Sequence, residues 1–89
     1  MARYWIKVIP SPPEKPLILN GIVASVGLIA PEHMLTESAA DFSLWLPCDG
    51  QFLSSHKYPL LFAEIGFLFG MAGSHHFRLP FLNLPFKKE

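Results

Sequence analysis

Leu44-Trp45-Leu46-Pro47-Cys48-Asp49-Gly50 carries an apolar segment straight into a tight turn, and the rest of the 89-residue chain is arranged around it. Phe42 to Pro47 reads as a short buried strand, and Pro47 limits how far central pairing continues because it offers no N–H to a ladder. Asp49 can accept bonds from nearby backbone N–H groups and Gly50 can take positive φ, so Asp-Gly closes the strand with a turn. Ahead of the corner lie a strand-like arm and a second apolar segment. Behind it come a short helix and a tail rich in Phe and Pro.

The totals narrow the function before any motif is weighed. A chain of this size buries only about 60% of the surface its unfolded form exposes, yet 51% of its residues are hydrophobic and 16% are charged. That is more apolar surface than a small monomer can hide, and exposed apolar patches mark contact sites. Seven basic residues balance seven acidic ones, so there is no positive footprint to release counterions from phosphate, and nucleic acid is not an expected partner. The pair Lys87-Lys88 is followed by Glu89 and reads as a solvated tail. The longest charge-free run, Pro16 to Pro31, holds Asn20, Gly21 and Gly27 and is shorter than the roughly 20 apolar residues of a spanning helix, so membrane insertion is not expected. The N-terminus lacks the continuous apolar core of a secretory signal, which leads us to expect synthesis in a cytoplasm. A single cysteine, Cys48, forms no internal disulfide.

Along the chain, Arg3 to Ile9 alternates like a strand, with Tyr4, Ile6 and Val8 on one face and Trp5, Lys7 and Ile9 on the other. Both faces carry large apolar groups. Pro10-Ser11-Pro12-Pro13-Glu14-Lys15-Pro16 then favours an extended polyproline-type spacer. A strand on a stiff spacer suits addition to a neighbouring subunit's sheet edge, and it equally suits folding back on its own domain. Asn20-Gly21 allows a type I′ hairpin between Leu17-Ile18-Leu19 and Ile22-Val23-Ala24, but the preferred reading is one strand from Ile22 to Ile29, with Ile22, Ala24, Val26 and Leu28 on one face. Glu32 to Asp41 reads as a polar connection whose Ala39-Ala40 sits in a short helical turn. Ser54-Ser55 supplies helix N-caps, Tyr58, Leu61, Phe62 and Ile65 share one face of a helix of about two turns, and Gly66 stops it. From Phe67 on, Gly70, Gly73, Pro80 and Pro85 exclude long regular elements, and Phe81 to Phe86 reads as an extended segment laid over the core or over a neighbour.

No catalytic constellation stands out. Cys48 beside Asp49 is expected to be a small buried core residue, because nucleophilic catalysis needs a base within hydrogen-bond reach and an oxyanion site. His75 and His76 point to opposite sides of an extended chain and read as loop residues rather than ligands. Trp5 and Trp45 read as core or interface anchors rather than sugar platforms. No cofactor or metal is expected.

Taken together, Gly21-Ile22-Val23, Trp45-Leu46-Pro47-Cys48-Asp49-Gly50, the run from Tyr58 through Leu61, Phe62 and Ile65 to Gly66, Gly70, and Phe77-Arg78-Leu79-Pro80 resemble the phage tail collar domain. That family's pattern runs from a Gly-Ile strand through a W-L-x-C-D-G turn and a Y-x-x-L-F-x-x-I-G helix to an F-x-L-P close. The resemblance covers residues 21 to 86. It implies a small α+β domain with a few short β-strands, one short α-helix and much irregular structure, over residues 21–89, preceded by an arm and linker over residues 1–20. It further implies a virion tail component, often trimeric, whose partners are other phage tail or baseplate proteins. Trp45, Cys48, Asp49, Gly50, Tyr58, Leu61, Phe62, Ile65, Gly66, Phe77, Leu79 and Pro80 are then structural residues of the motif. Where the family continues Leu-Pro-Asp-Leu-Arg-Gly-Arg, this chain has Leu79-Pro80-Phe81-Leu82-Asn83-Leu84-Pro85-Phe86, an apolar close. Nothing in it corresponds to the distal head of receptor-binding members. The expectation is a structural or adaptor role through a homo-oligomer, with Tyr4, Trp5, Ile6, Val8, Phe81, Leu84 and Phe86 as interface residues. The alternative is a host-receptor or surface-glycan tip.

Overall fold

A computed structural model describes residues 3–82 of the chain. Its centre is a three-stranded antiparallel sheet in the order β4-β1-β5, formed by Ile29–Pro31, Tyr4–Lys7 and Trp45–Pro47. Strand β1 is paired on both sides, with Ile6 opposite Ile29 in β4 and Leu46 in β5. Of the two readings open for the N-terminal strand, folding back within the chain is the one observed.

This arrangement explains why both faces of β1 are apolar. Ile6 and Val8, with Tyr4 beside them, enter one core with Cys48, Leu53, Leu61, Phe77 and Leu79. Trp5 faces a second core of Leu19, Ala24, Ala30, Leu35 and Trp45. The sheet divides the molecule, and alternation along each strand sends successive side chains to different cores. Lys7 lies on the Trp45 side and is wholly buried. Its ammonium donates to the Ile9 carbonyl at 3.0 Å and to Ser11 Oγ at 2.6 Å, 5.9 Å from the Trp45 ring centroid. Burial lowers its pKa, partly offset by the Asp41 carboxylate. These bonds fasten the proline-rich segment to the core, and Lys15 N–H donates to the Pro12 carbonyl at 3.0 Å. The segment therefore turns back on itself instead of running out as the expected spacer.

Between β1 and β4 lies the hairpin β2 (Ile18–Leu19) and β3 (Ile22–Val23). Asn20 and Gly21 have φ of 50° and 78°, the two positive values a type I′ turn requires. This corrects the expected long strand from Ile22 to Ile29, which breaks at a further positive φ, 97°, at Gly27. Helix α1 (Glu32–Glu37) follows β4 without a linker and buries Leu35. The helical turn expected at Ala39-Ala40 is instead this helix, earlier in the connection, and Ala39 has left-handed φ of 54° just beyond its end. A 3-10 turn at Phe42–Leu44, capped by Asp41 through the Ser43 N–H, takes the first half of the expected strand and leaves Trp45–Pro47 as β5.

After the corner, β6 (Phe52–Ser54) pairs with β7 (His76–Arg78), and helix α2 (Pro59–Ile65) lies between them in sequence. Leu61 is buried in the first core, with Tyr58, Phe62 and Ile65 packed against it, and Gly66 stops the helix at φ 51°. The N-cap is Tyr58, with no side-chain bond. The N-caps expected at Ser54-Ser55 therefore lie ahead of the helix, and Ser54 Oγ instead accepts the His56 N–H at 3.2 Å in the turn before it. The result is the expected small α+β domain, flattened to extents of 43 × 37 × 18 Å.

Candidate assembly surface

The Trp45–Gly50 corner is the structural joint between the two ends of the described chain. Cys48 N–H donates to the Tyr4 carbonyl at 2.9 Å, and the Cys48 carbonyl accepts from Leu82 N–H at 2.8 Å. Asp49 Oδ1 accepts from the backbone and side-chain N–H groups of Gln51 at 3.0 and 3.2 Å. Gly50 takes φ 82°, donates to the Pro80 carbonyl at 3.3 Å, and accepts Arg78 Nε at 2.8 Å. The Arg78 guanidinium also lies over Phe52 at 5.6 Å, and its aliphatic stem runs against Gly70, where an added Cβ would stand 3.3 Å from Arg78 Cδ. Arg78 thus joins the corner to the loop after α2.

That loop carries the most exposed apolar surface. Phe67, Leu68, Phe69 and Met71 are exposed, Leu68 at 76%, and Leu60 projects from the neighbouring helix. Phe67 is continuous with the core through Phe62, whose ring lies 5.0 Å from it and 5.2 Å from Phe77. Phe52, under the Arg78 guanidinium, is also exposed, as are Phe81 and Leu82 beside the corner at Asp49 and Cys48. No Asp, Glu, Lys or Arg occurs from Ile65 to Phe77. A smaller apolar face is formed by the hairpin residues Ile18, Ile22 and Val23 with Ile29.

The interface residues expected from sequence fall into four groups. Ile6 and Val8 are enclosed by the chain's own core, so the partner role expected of them gives way to a packing role. Tyr4 and Trp5 are half-buried, and Trp5 Nε1 donates to Glu32 Oε1 at 3.0 Å while its ring meets Phe42 edge-on at 5.0 Å. Phe81 is exposed, bridged to Asp49. Leu84 and Phe86 lie outside the described residues. Sequence reasoning missed the Phe67–Met71 loop, although its charge-free composition was the signal.

Cys48 is fully buried, and burial, followed by the charge of Asp49, pushes its thiol up to about 11. We expect it to be unreactive toward an aromatic disulfide reagent at pH 8 until urea unfolds the chain. Because the folded-state pKa lies above the free value, the thiol's contribution to stability is present below pH 9 and is lost as pH rises toward 11. Urea melts across that interval check the sign. Among the described residues no group of three or more His, Cys, Asp or Glu side chains is placed to hold a metal ion, and no helix is long and apolar enough to cross a membrane.

Corner, helix and apolar surface together define a small α+β module with exposed apolar side chains suited to contact. The phage tail collar domain model matches residues 21–84, and the chain belongs to that family. The match begins at Gly21, inside the hairpin turn. No curated protein and no solved structure matches the chain. The collar domain is a structural domain of phage tails, which makes the chain a virion tail component associated with other tail proteins.

Proposed function

We propose that the chain is an adaptor of the tail fibre, collar or baseplate, working by protein–protein assembly and not by catalysis, as a homo-oligomer with a trimer favoured. It is made in the host cytoplasm and joins the particle through other tail or baseplate proteins. The observation that carries this reading is the contiguous exposed apolar loop Phe67–Met71, flanked by Leu60, with Phe52 exposed under the Arg78 guanidinium and Phe81 exposed beside the corner. Exposed apolar side chains grouped in this way mark a contact site.

Leu68→Asp tests it, because the side chain is exposed and the change should alter stability by no more than about 0.5 kcal/mol. Light scattering should show oligomers for the parent chain and monomers for the variant at equal concentration, with unchanged melting. Loss of incorporation into particles should accompany loss of association. A parent chain that stays monomeric at high concentration and has no affinity for other tail proteins would sink the proposal.

A further inference from the structure

The structure brings together two histidines that lie far apart in sequence and belong to neither the corner nor the apolar loop. His56 follows β6 and His75 precedes β7, and pairing of those strands sets their rings 4.8 Å apart between centroids, inclined by 39°. The backbone beneath them is fixed: Ser55 N–H donates to the His75 carbonyl at 2.9 Å, Ser55 Oγ to the same oxygen at 3.2 Å, and His56 N–H to Ser54 Oγ at 3.2 Å. Both residues are exposed.

We propose that His56 and His75 form a two-imidazole site for a divalent transition ion of the zinc, nickel or copper class. Two imidazoles on one tetrahedral ion, with metal–nitrogen bonds of roughly 2.0–2.1 Å, have ring centroids about 5 Å apart, and the observed spacing is 4.8 Å. Imidazole nitrogen suits these borderline metals, while magnesium and calcium prefer oxygen. No third His, Cys, Asp or Glu joins the pair among the described residues, so water fills the remaining positions in the isolated chain. A bound ion ties the turn leading into α2 to the segment entering β7. The site stands independently of the assembly reading.

The test is titration of the full chain with zinc chloride, followed by calorimetry and by the imidazole nitrogen resonances. One ion per chain should bind, shifting the ring signals of His56 and His75 and leaving His33 and His76 in place. His56→Ala and His75→Ala should each weaken binding by at least the roughly tenfold that losing even a supporting group costs a metal site. His76→Ala should bind like the parent. Uptake should fall as pH is lowered, because an imidazole must be unprotonated to ligate. All three positions are exposed, and far-UV circular dichroism checks that each variant is folded. Absence of zinc uptake by the folded parent, uptake that survives both His56→Ala and His75→Ala, or an equal loss in His76→Ala would overturn the proposal.

Discussion

Phe77→Ala should remove about a quarter or more of the protein's folding stability. Phe77 is wholly buried, at the centre of β7, and its ring meets Phe62 of α2 at 5.2 Å. Truncating a buried phenylalanine costs about 3–5 kcal/mol, the lost transfer energy plus the cavity. A chain of this length has roughly 4–13 kcal/mol of stability in total. Among the described residues the first core holds seven buried side chains, so little else compensates. Urea denaturation followed by tryptophan fluorescence should show the midpoint falling by about a quarter or more. A midpoint within a tenth of the parent's would mean that α2 and the β6–β7 pair are not held together through Phe77. Phe77→Leu should recover most of the loss, because it keeps the site apolar and nearly filled.

The second large effect is expected at the Gly50–Arg78 contact. A side chain at Gly50 meets two costs. Its φ of 82° is left-handed, which costs an L-residue about 1–2 kcal/mol. The new Cβ would also stand 2.9 Å from Arg78 Nη2 and 3.2 Å from Nε, so the guanidinium must move away from the Gly50 carbonyl. A hydrogen bond from a charged donor contributes about 1.5–3 kcal/mol. Gly50→Ala should therefore lower stability by about 2.5–5 kcal/mol. Arg78→Ala should cost a similar amount, since Gly50 is buried and its carbonyl loses that donor. Arg78→Lys should rescue little, because an ammonium cannot reproduce the Nε geometry and the stacking on Phe52 together. The double variant should be non-additive, with a coupling above about 0.5 kcal/mol. Strict additivity would show that the two residues do not act through each other.

The corner and helix α2 were legible because their chemistry is local. Asp49-Gly50 and Gly66 state their own turns, and the face of Tyr58, Leu61, Phe62 and Ile65 repeats at helical spacing within eight residues. The hairpin was harder, because Asn20-Gly21 competed with an apolar run from Ile22 to Ile29 that fits a single strand equally well; Gly27 decides between them only once its φ is known. Helix α1 has six residues and no side-chain cap, and it is held by Leu35 in a core that no local pattern reveals. Arg78 and the histidine pair were illegible for one reason. Their partners stand 28 and 19 positions away, and only strand pairing brings them within reach. The two apolar faces of β1 were visible in the sequence as a puzzle, and the two cores on either side of the sheet are its physical answer.

The position of β1 at the centre of its sheet also sets an order in time. Its partners are β4, whose first residue is Ile29, and β5, whose last is Pro47, so a strand synthesised early waits for both edges to leave the ribosome. Its Ile6 face waits longer, since Phe77 and Leu79 complete that core. Contacts so distant in sequence make folding slow relative to a helical bundle of equal size. During that interval the nascent chain displays an unpaired, apolar strand, and the proline-rich segment that follows it cannot extend the edge into a template for aggregation.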